Sequence, residues 1–259
     1  MGYIYAMSDV HGCMDALKNK MTKVDLSDDN KLVFCGDYMD YGSRSGEVLR
    51  CIKDLQDSYG DNKVIALKGN HEMMFLEWID TYRLAKSGAT DEWGMPYWNE
   101  WLDTDRGFWT LKSLITEEQW NFFEKVFRNL SDEARNIEAM DMIVSSNKDI
   151  IRWMKAMPLY YETDTQIFVH AGVDEEAGEY WKWGSNEWTL TGAFAKARGK
   201  FCKTVIAGHV GTHHFWHDKH YHEMYYDGES HYYIDGSVYK GGKLILLRYD
   251  TETGKYESI

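Results

Sequence analysis

Repeatedly along this chain a short apolar run stops at a glycine-bearing turn that carries Asp, Asn or His. The first three runs are Tyr3-Ile4-Tyr5-Ala6-Met7, ending at Ser8-Asp9; Leu32-Val33-Phe34-Cys35, ending at Gly36-Asp37; and Val64-Ile65-Ala66-Leu67, ending at Gly69-Asn70-His71. Helical spacing fills the gaps, with Leu17, Met21 and Val24 on one face and then Val48, Ile52 and Leu55 on another. The β-α-β-α-β order predicts parallel strands joined by right-handed crossovers. Ligands of such sheets gather at the carboxyl ends of the strands, so Asp9, His11, Asp37, Asp40, Asn70 and His71 are expected on one rim.

From about residue 73 to 157 the pattern changes to alternating aromatic and charged residues, crowded with Trp78, Trp93, Trp98, Trp101, Trp109, Trp120 and Trp153. Helical spacing recurs at Leu111, Leu114 and Ile115 and at Trp120, Phe123, Phe127 and Leu130. This stretch is expected to be a helical insertion roofing the cleft, its tryptophans mainly core, within a single domain spanning 1–259. Strands then resume. Ile167-Phe168-Val169 ends at His170-Ala171-Gly172, Val205-Ile206-Ala207 at Gly208-His209, and Tyr232-Tyr233-Ile234 at Asp235-Gly236, while Leu244-Ile245-Leu246-Leu247 closes the set. They predict a second, partly antiparallel sheet packed on the first. With two prolines and no Gly/Ser-rich tract, no linker divides the chain.

A formal net charge of −13 argues against a nucleic-acid partner, since phosphate backbones are bound by basic stripes. Part of that acidity suits a site where carboxylates are neutralised by cations. The four cysteines (Cys13, Cys35, Cys51 and Cys202) have neither C-x-x-C spacing nor disulfide density, and read as reduced residues of a cytoplasmic protein. No signal peptide is visible, and no apolar run approaches the roughly 20 residues that span a bilayer. No membrane partner is expected, and the oligomeric state is left open.

A lone Asp before a turn is usually a cap, and a lone buried His is usually just hydrogen-bonded. Five such turns in succession at strand ends point instead to one site. Carboxylate oxygens together with imidazole nitrogens suit borderline divalent ions such as Mn, Fe or Zn, whereas an all-oxygen set would suit Mg or Ca.

The segments Ser8-Asp9-Val10-His11-Gly12, Gly36-Asp37-Tyr38-Met39-Asp40-Tyr41-Gly42, Gly69-Asn70-His71-Glu72, Val169-His170-Ala171-Gly172 and Ala207-Gly208-His209 resemble the GDxHG, GDxxDRG, GNHE, VHAG and GH motifs of a known family. It is the phosphoprotein phosphatase branch of the calcineurin-like metallophosphoesterase superfamily. The bacterial subgroup of protein phosphatases and symmetrical diadenosine tetraphosphatases is most similar. The resemblance spans nearly the whole chain, through Met157-Pro158-Leu159-Tyr160 to Ile234-Asp235-Gly236 and Gly242-Lys243-Leu244. It implies an α/β fold, a four-layer α-β-β-α sandwich of two mixed sheets. It also implies two divalent ions, with manganese the first expectation. Asp9 and His11 would hold one, Asn70, His170 and His209 the other, and Asp37 would bridge them. Ions about 3.5–4 Å apart can activate a bridging water and clamp phosphoryl oxygens. His71 would be the general acid, oriented by Asp40.

The chain departs from the family at its phosphate clamps. The DRG arginine is Tyr41, and Tyr180-Trp181-Lys182-Trp183-Gly184 offers no match to a second arginine of Trp-x-Arg context. A phenol cannot reproduce bidentate guanidinium binding. Arg44, Arg106 and Lys182 are the available replacements, and phosphate binding is expected to weaken or to shift toward a bulkier or aromatic phosphoester stacking on Tyr41. The expected function is phosphomonoester hydrolysis, with phosphorylated protein side chains the first substrate class, as in serine/threonine-type phosphatases. The alternatives are a dinucleoside polyphosphate hydrolase, whose substrate asks for more cations, and a regulatory module with weakened chemistry. His213, His214, His217, His220 and His222 read as a polar loop near the site mouth rather than a third metal site. Glu72 reads as support for a ligand or as an acid at a helix start.

Overall fold

Alternate residues of a strand face opposite sides of its sheet, so each apolar run above can feed two different cores. The structure is a computed structural model that describes residues 2–90, 92, 100–102, 105–194, 196–216 and 218–259. It begins with β1 (Tyr3–Met7), α1 (Met14–Met21), β2 (Lys31–Phe34), α2 (Ser45–Tyr59) and β3 (Val64–Ala66). Helices α3 (Asn70–Asp80), α4 (Tyr82–Lys86), α5 (Asp105–Leu114), α6 (Glu117–Phe127), α7 (Asp132–Ser146) and α8 (Lys148–Ala156) follow. Then come β4 (Tyr160–Glu162), β5 (Gln166–Val169), α9 (Trp181–Gly184), α10 (Glu187–Thr191), β6 (Thr204–Ala207), β7 (Tyr225–Tyr226), β8 (His231–Tyr233), β9 (Leu247–Asp250) and β10 (Tyr256–Ser258).

Two mixed sheets form, in the orders β10-β9-β1-β2-β3 and β4-β5-β6-β8-β7. Strands β1, β2 and β3 run parallel, as do β5, β6 and β8, with antiparallel strands at the flanks. Ile4, Ala6, Val33 and Ile65 meet Phe168, Ile206 and Ile234 between the sheets. Their neighbours Tyr5, Met7, Leu32 and Phe34 turn the other way, onto Leu17, Val48, Ile52 and Phe75 of the first three helices. On the far side, Ile167, Val169 and Val205 pack on Trp181 and Leu190. Helices, sheet, sheet and helices thus form four layers, as the motifs imply. A one-residue slip in any strand would exchange its two cores, so register is strongly specified.

Some sequence expectations need correction. The closing strand begins at Leu247 rather than Leu244, and a further strand, β10, follows it. Strand β9 joins the first sheet, antiparallel to β1, because β1 has β2 on one edge and its other edge needs a partner. Helix α1 stops at Met21, leaving Val24 in the loop beyond it. The region between β3 and β4 is helical, and Trp78, Trp101 and Trp120 are buried there, whereas Trp109 is exposed. Trp93, Trp98 and His217 lie outside the described residues. Among the described residues, no helix is long and apolar enough to cross a membrane.

Candidate metal centre

Asp9 lies just beyond β1, Asp37 beyond β2, His170 beyond β5 and His209 beyond β6, while Asn70 opens α3. Several of these residues occupy backbone conformations that L-residues seldom adopt. Eight described non-glycine residues have positive φ, and six belong to these turns: Asp9 (55°), His11 (45°), Asp37 (57°), Asp40 (68°), Tyr41 (63°) and His209 (60°). Such strain persists only where the surroundings impose it, and it gathers at functional sites.

The side chains converge on Asp37 Oδ2, which lies 3.5 Å from His11 Nε2, 3.8 Å from His71 Nε2 and 3.3 Å from His170 Nε2. Two sets of donor atoms close enough to share an ion result, His11-Asp37-His71 and Asp37-His170-His209, with Asp37 common to both. Asp9 Oδ1 is 3.8 Å from His11 Nε2, and Asn70 Oδ1 is 3.0 Å from His170 Nε2. His11 Nδ1 bonds the Met39 carbonyl at 2.8 Å and His170 Nδ1 the Cys35 carbonyl at 2.7 Å. With each Nδ1–H donated to a carbonyl, the Nε2 lone pair is left facing the centre, as a ligand requires. These buried carboxylate, amide and imidazole donors fit a pair of borderline divalent ions sharing Asp37.

The electrostatics agree with that fit. Burial pushes the Asp37 carboxyl up, but His170, His71 and His11 outweigh it and hold it well below the usual range. Burial pushes the His170 imidazole down, yet Asp37 and Asp9 raise it to about 10, so that without a cation a proton takes the Nε2 position that a cation would fill. His11 falls to about 4, through burial opposed by Asp37, and His209 to about 4, through burial and then His170. Asp9 is raised well above the usual range by burial and then by Asp235, which burial itself pushes up to about 6. A buried excess of carboxyl groups is what cations relieve.

Supporting groups come from distant segments. Glu72, pushed up to about 7 by burial and then Asp37, accepts hydrogen bonds from the Asp37, Tyr38 and Gly69 amides at 2.8, 2.8 and 2.9 Å. Asp40 Oδ2 lies 2.7 Å from His71 Nδ1 and also accepts from Trp101 Nε1 at 3.2 Å. Its Oδ1 accepts from the Thr110 hydroxyl at 2.8 Å. The Tyr41 ring stacks on Tyr239 at 4.2 Å and 17°, and its hydroxyl accepts from Arg106 at 2.9 Å. Of Trp101, Thr110, Tyr239 and Asp235, which no metal motif contains, only Asp235 has a sequence signal, its Asp-Gly turn.

Not every expected residue joins the cluster. Arg44 is held by Asp15 at 2.6 Å and by Glu47 at 2.7 Å, on α1 and α2. Lys182 pairs with Glu162. The His213 ring lies tilted against His214 at 4.0 Å and 6.5 Å from His222, and no third set of three metal donors converges among the described residues.

A profile of the calcineurin-like phosphoesterases matches residues 2–237. Two curated relatives are named "Bis(5'-nucleosyl)-tetraphosphatase, symmetrical". The protein from Marinomonas sp. (strain MWYL1) is 33% identical over 87 residues, 33% of this chain and 30% of its own length. That from Stutzerimonas stutzeri (strain A1501) is 33% identical over 73 residues, 28% of this chain and 25% of its own. The matched stretch thus spans under a third of either relative. Among solved structures, a candidate diadenosine tetraphosphatase aligns with TM-score 0.56 at 14% identity, covering 100% of this chain and 93% of that one. A cold-active protein-tyrosine phosphatase from a psychrophilic Shewanella sp. aligns with TM-score 0.53 at 16% identity, covering 99% and 80%. At these identities the likeness is one of fold.

Proposed function

We propose that this chain, which belongs to the calcineurin-like phosphoesterase family, hydrolyses phosphomonoesters at a centre of two divalent ions, manganese in the first instance. Asp9 and His11 would hold one ion and Asn70, His170 and His209 the other, with Asp37 available to both. The observation that carries the reading is Asp37 set between His11 on one side and His170 with His209 on the other. Bound ions supply an activated water and positive charge on the phosphoryl oxygens. The chain's own contribution is orientation and a proton. The Met39 and Cys35 carbonyls fix the rings of His11 and His170. His71 carries the proton on Nε2 for the departing ester oxygen, with Nδ1 tied to Asp40. Burial lowers its basicity, but Asp37 and Asp40 outweigh that and raise it. Arg106, at the Tyr41 hydroxyl, offers the guanidinium that the motif lacks at position 41.

Phosphorylated protein side chains are the first substrate class, with the cytoplasm as the compartment. The names of the curated relatives favour a second reading, symmetrical cleavage of a dinucleoside tetraphosphate. The test is an assay of manganese-loaded protein on an aryl phosphate, on phosphoserine, phosphothreonine and phosphotyrosine peptides, and on diadenosine tetraphosphate, with metal content measured alongside. Turnover of the monoesters is expected. Asp37→Asn should lose metal and reduce turnover at least about 100-fold, because it removes the shared ligand. Turnover of the dinucleotide alone would select the second reading. Bound metal without any turnover would select a regulatory module.

A further inference from the structure

Next to the metal centre lies a cavity of about 580 Å³, and Asn70 and His209 belong to both. Its size is that of a pocket for a small organic group. Met73 and Met74 from α3 and Trp188 from α10 form apolar walls. The charges around it are the Arg106 guanidinium and the carboxylates of Glu77 and Glu187.

Trp188 is 67% exposed, unusual for so large an apolar side chain, yet its ring is seated against backbone. A Cβ built on Gly192 would stand 2.5 Å from its Cζ3 and 2.6 Å from its Cε3, so the glycine leaves the space the ring occupies. Gly192 and His209 both line the cavity. A backed aromatic surface with its remainder open to a cavity is a stacking platform.

We infer that this cavity is the leaving-group subsite of the phosphoesterase proposed above, and that it receives a planar, uncharged aromatic group, an aryl ring or a nucleobase, against Trp188. The inference rests on that proposed activity. An alkyl leaving group would fill little of the cavity and leave the indole in water. A polyphosphate chain would meet two carboxylates against one guanidinium, an unfavourable balance for a polyanion. Methionine side chains adapt to flat rings and make favourable sulfur–aromatic contacts. The chemistry is ester hydrolysis: the water oxygen bonds to phosphorus, the ester P–O bond breaks, the alcohol that carries the aromatic group departs with the proton from His71, and the proton given up by the attacking water restores His71 through solvent.

The test uses the metal-loaded full chain and the variants Trp188→Ala and Trp188→Phe. Calorimetry with phenylphosphonate and methylphosphonate, which are not hydrolysed, reads binding apart from turnover. The phenyl compound should bind about tenfold more tightly, a preference lost in Trp188→Ala and restored in Trp188→Phe. In kinetics, the ratio of kcat/KM for phenyl phosphate to that for glycerol 3-phosphate should fall about tenfold in Trp188→Ala. Adenosine 5'-monophosphate provides a parallel arm, and the larger Trp188-dependent loss distinguishes a nucleobase from a simple aryl ring. Equal binding of the two phosphonates, binding of neither, or a preference that survives Trp188→Ala overturns the subsite. If the wild type hydrolyses no phosphoester while its phenyl preference still depends on Trp188, the proposed activity falls and the aromatic site stands. If hydrolysis proceeds without that dependence, the subsite falls and the activity stands.

Discussion

Tyr41 concentrates what is unusual about this chain at the scale of one residue. Its backbone is left-handed (φ 63°), one face of its ring is taken by Tyr239, and its edge contacts His11 at 5.0 Å. A phenol can accept a hydrogen bond from Arg106, but it cannot supply a second cation. Restoring the motif residue should therefore add a bidentate donor at the rim. Tyr41→Arg is expected to lower KM for phosphomonoesters about fivefold to tenfold, read from initial rates. Unchanged kinetics on every phosphoester would show that this position does not touch substrate.

At the scale of elements, α3 ties two strand ends together through one buried carboxylate. Glu72 accepts three backbone amides from the turns after β2 and β3, and among the described residues those of Asp37 and Tyr38 have no other acceptor. Glu72→Ala should cost at least about 3 kcal/mol in urea unfolding, because each orphaned buried donor loses about 1 kcal/mol or more. A loss within the ordinary range of surface substitutions would show that water replaces the carboxylate.

The β7–β8 hairpin carries a second polar clamp, in which His231 meets Asp227 at 2.8 Å and Glu175 at 2.9 Å. Burial lowers the His231 pKa, but Glu175 and Asp227 outweigh it and raise it above 6.5. A raised histidine contributes fully below its unfolded value and loses that contribution as pH climbs through the folded value. Burial likewise opposes ionisation of Asp227, but hydrogen bonds from backbone amides and His231 hold it at about 2, so its contribution fades as pH falls from 3.8 through that value. The clamp is strongest between those limits. In His231→Gln the decline in unfolding free energy above pH 6.5 should be shallower than in the wild type, and equal slopes would remove His231 as the cause.

At the scale of the whole molecule, the centre exists because two sheets approach closely at their carboxyl ends. A Cβ on Gly208 would collide with Ser8 Oγ and Asp9 Oδ2, and one on Gly36 would stand 2.8 Å from His170 Nδ1. Gly208→Ala should leave the circular dichroism native-like while weakening metal binding about 10–100-fold in chelator competition, by displacing Asp9 from His209. Full metal affinity in that variant would mean the two turns can part without cost to the site.

Much of this was legible in the chain alone, since it rests on local rules. Strand alternation in Tyr3–Met7 or Leu32–Cys35 needs only neighbouring residues, and glycine beside Asp or His marks a tight turn whatever surrounds it. What the tertiary structure decided joins residues far apart in sequence. Strand β9 pairs with β1, Arg44 goes to Asp15 and Glu47 while Arg106 reaches Tyr41, Trp101 and Thr110 hold Asp40, and Trp188 stands beside His209. No periodicity encodes such contacts, because they depend on which faces are left open once the layers have packed.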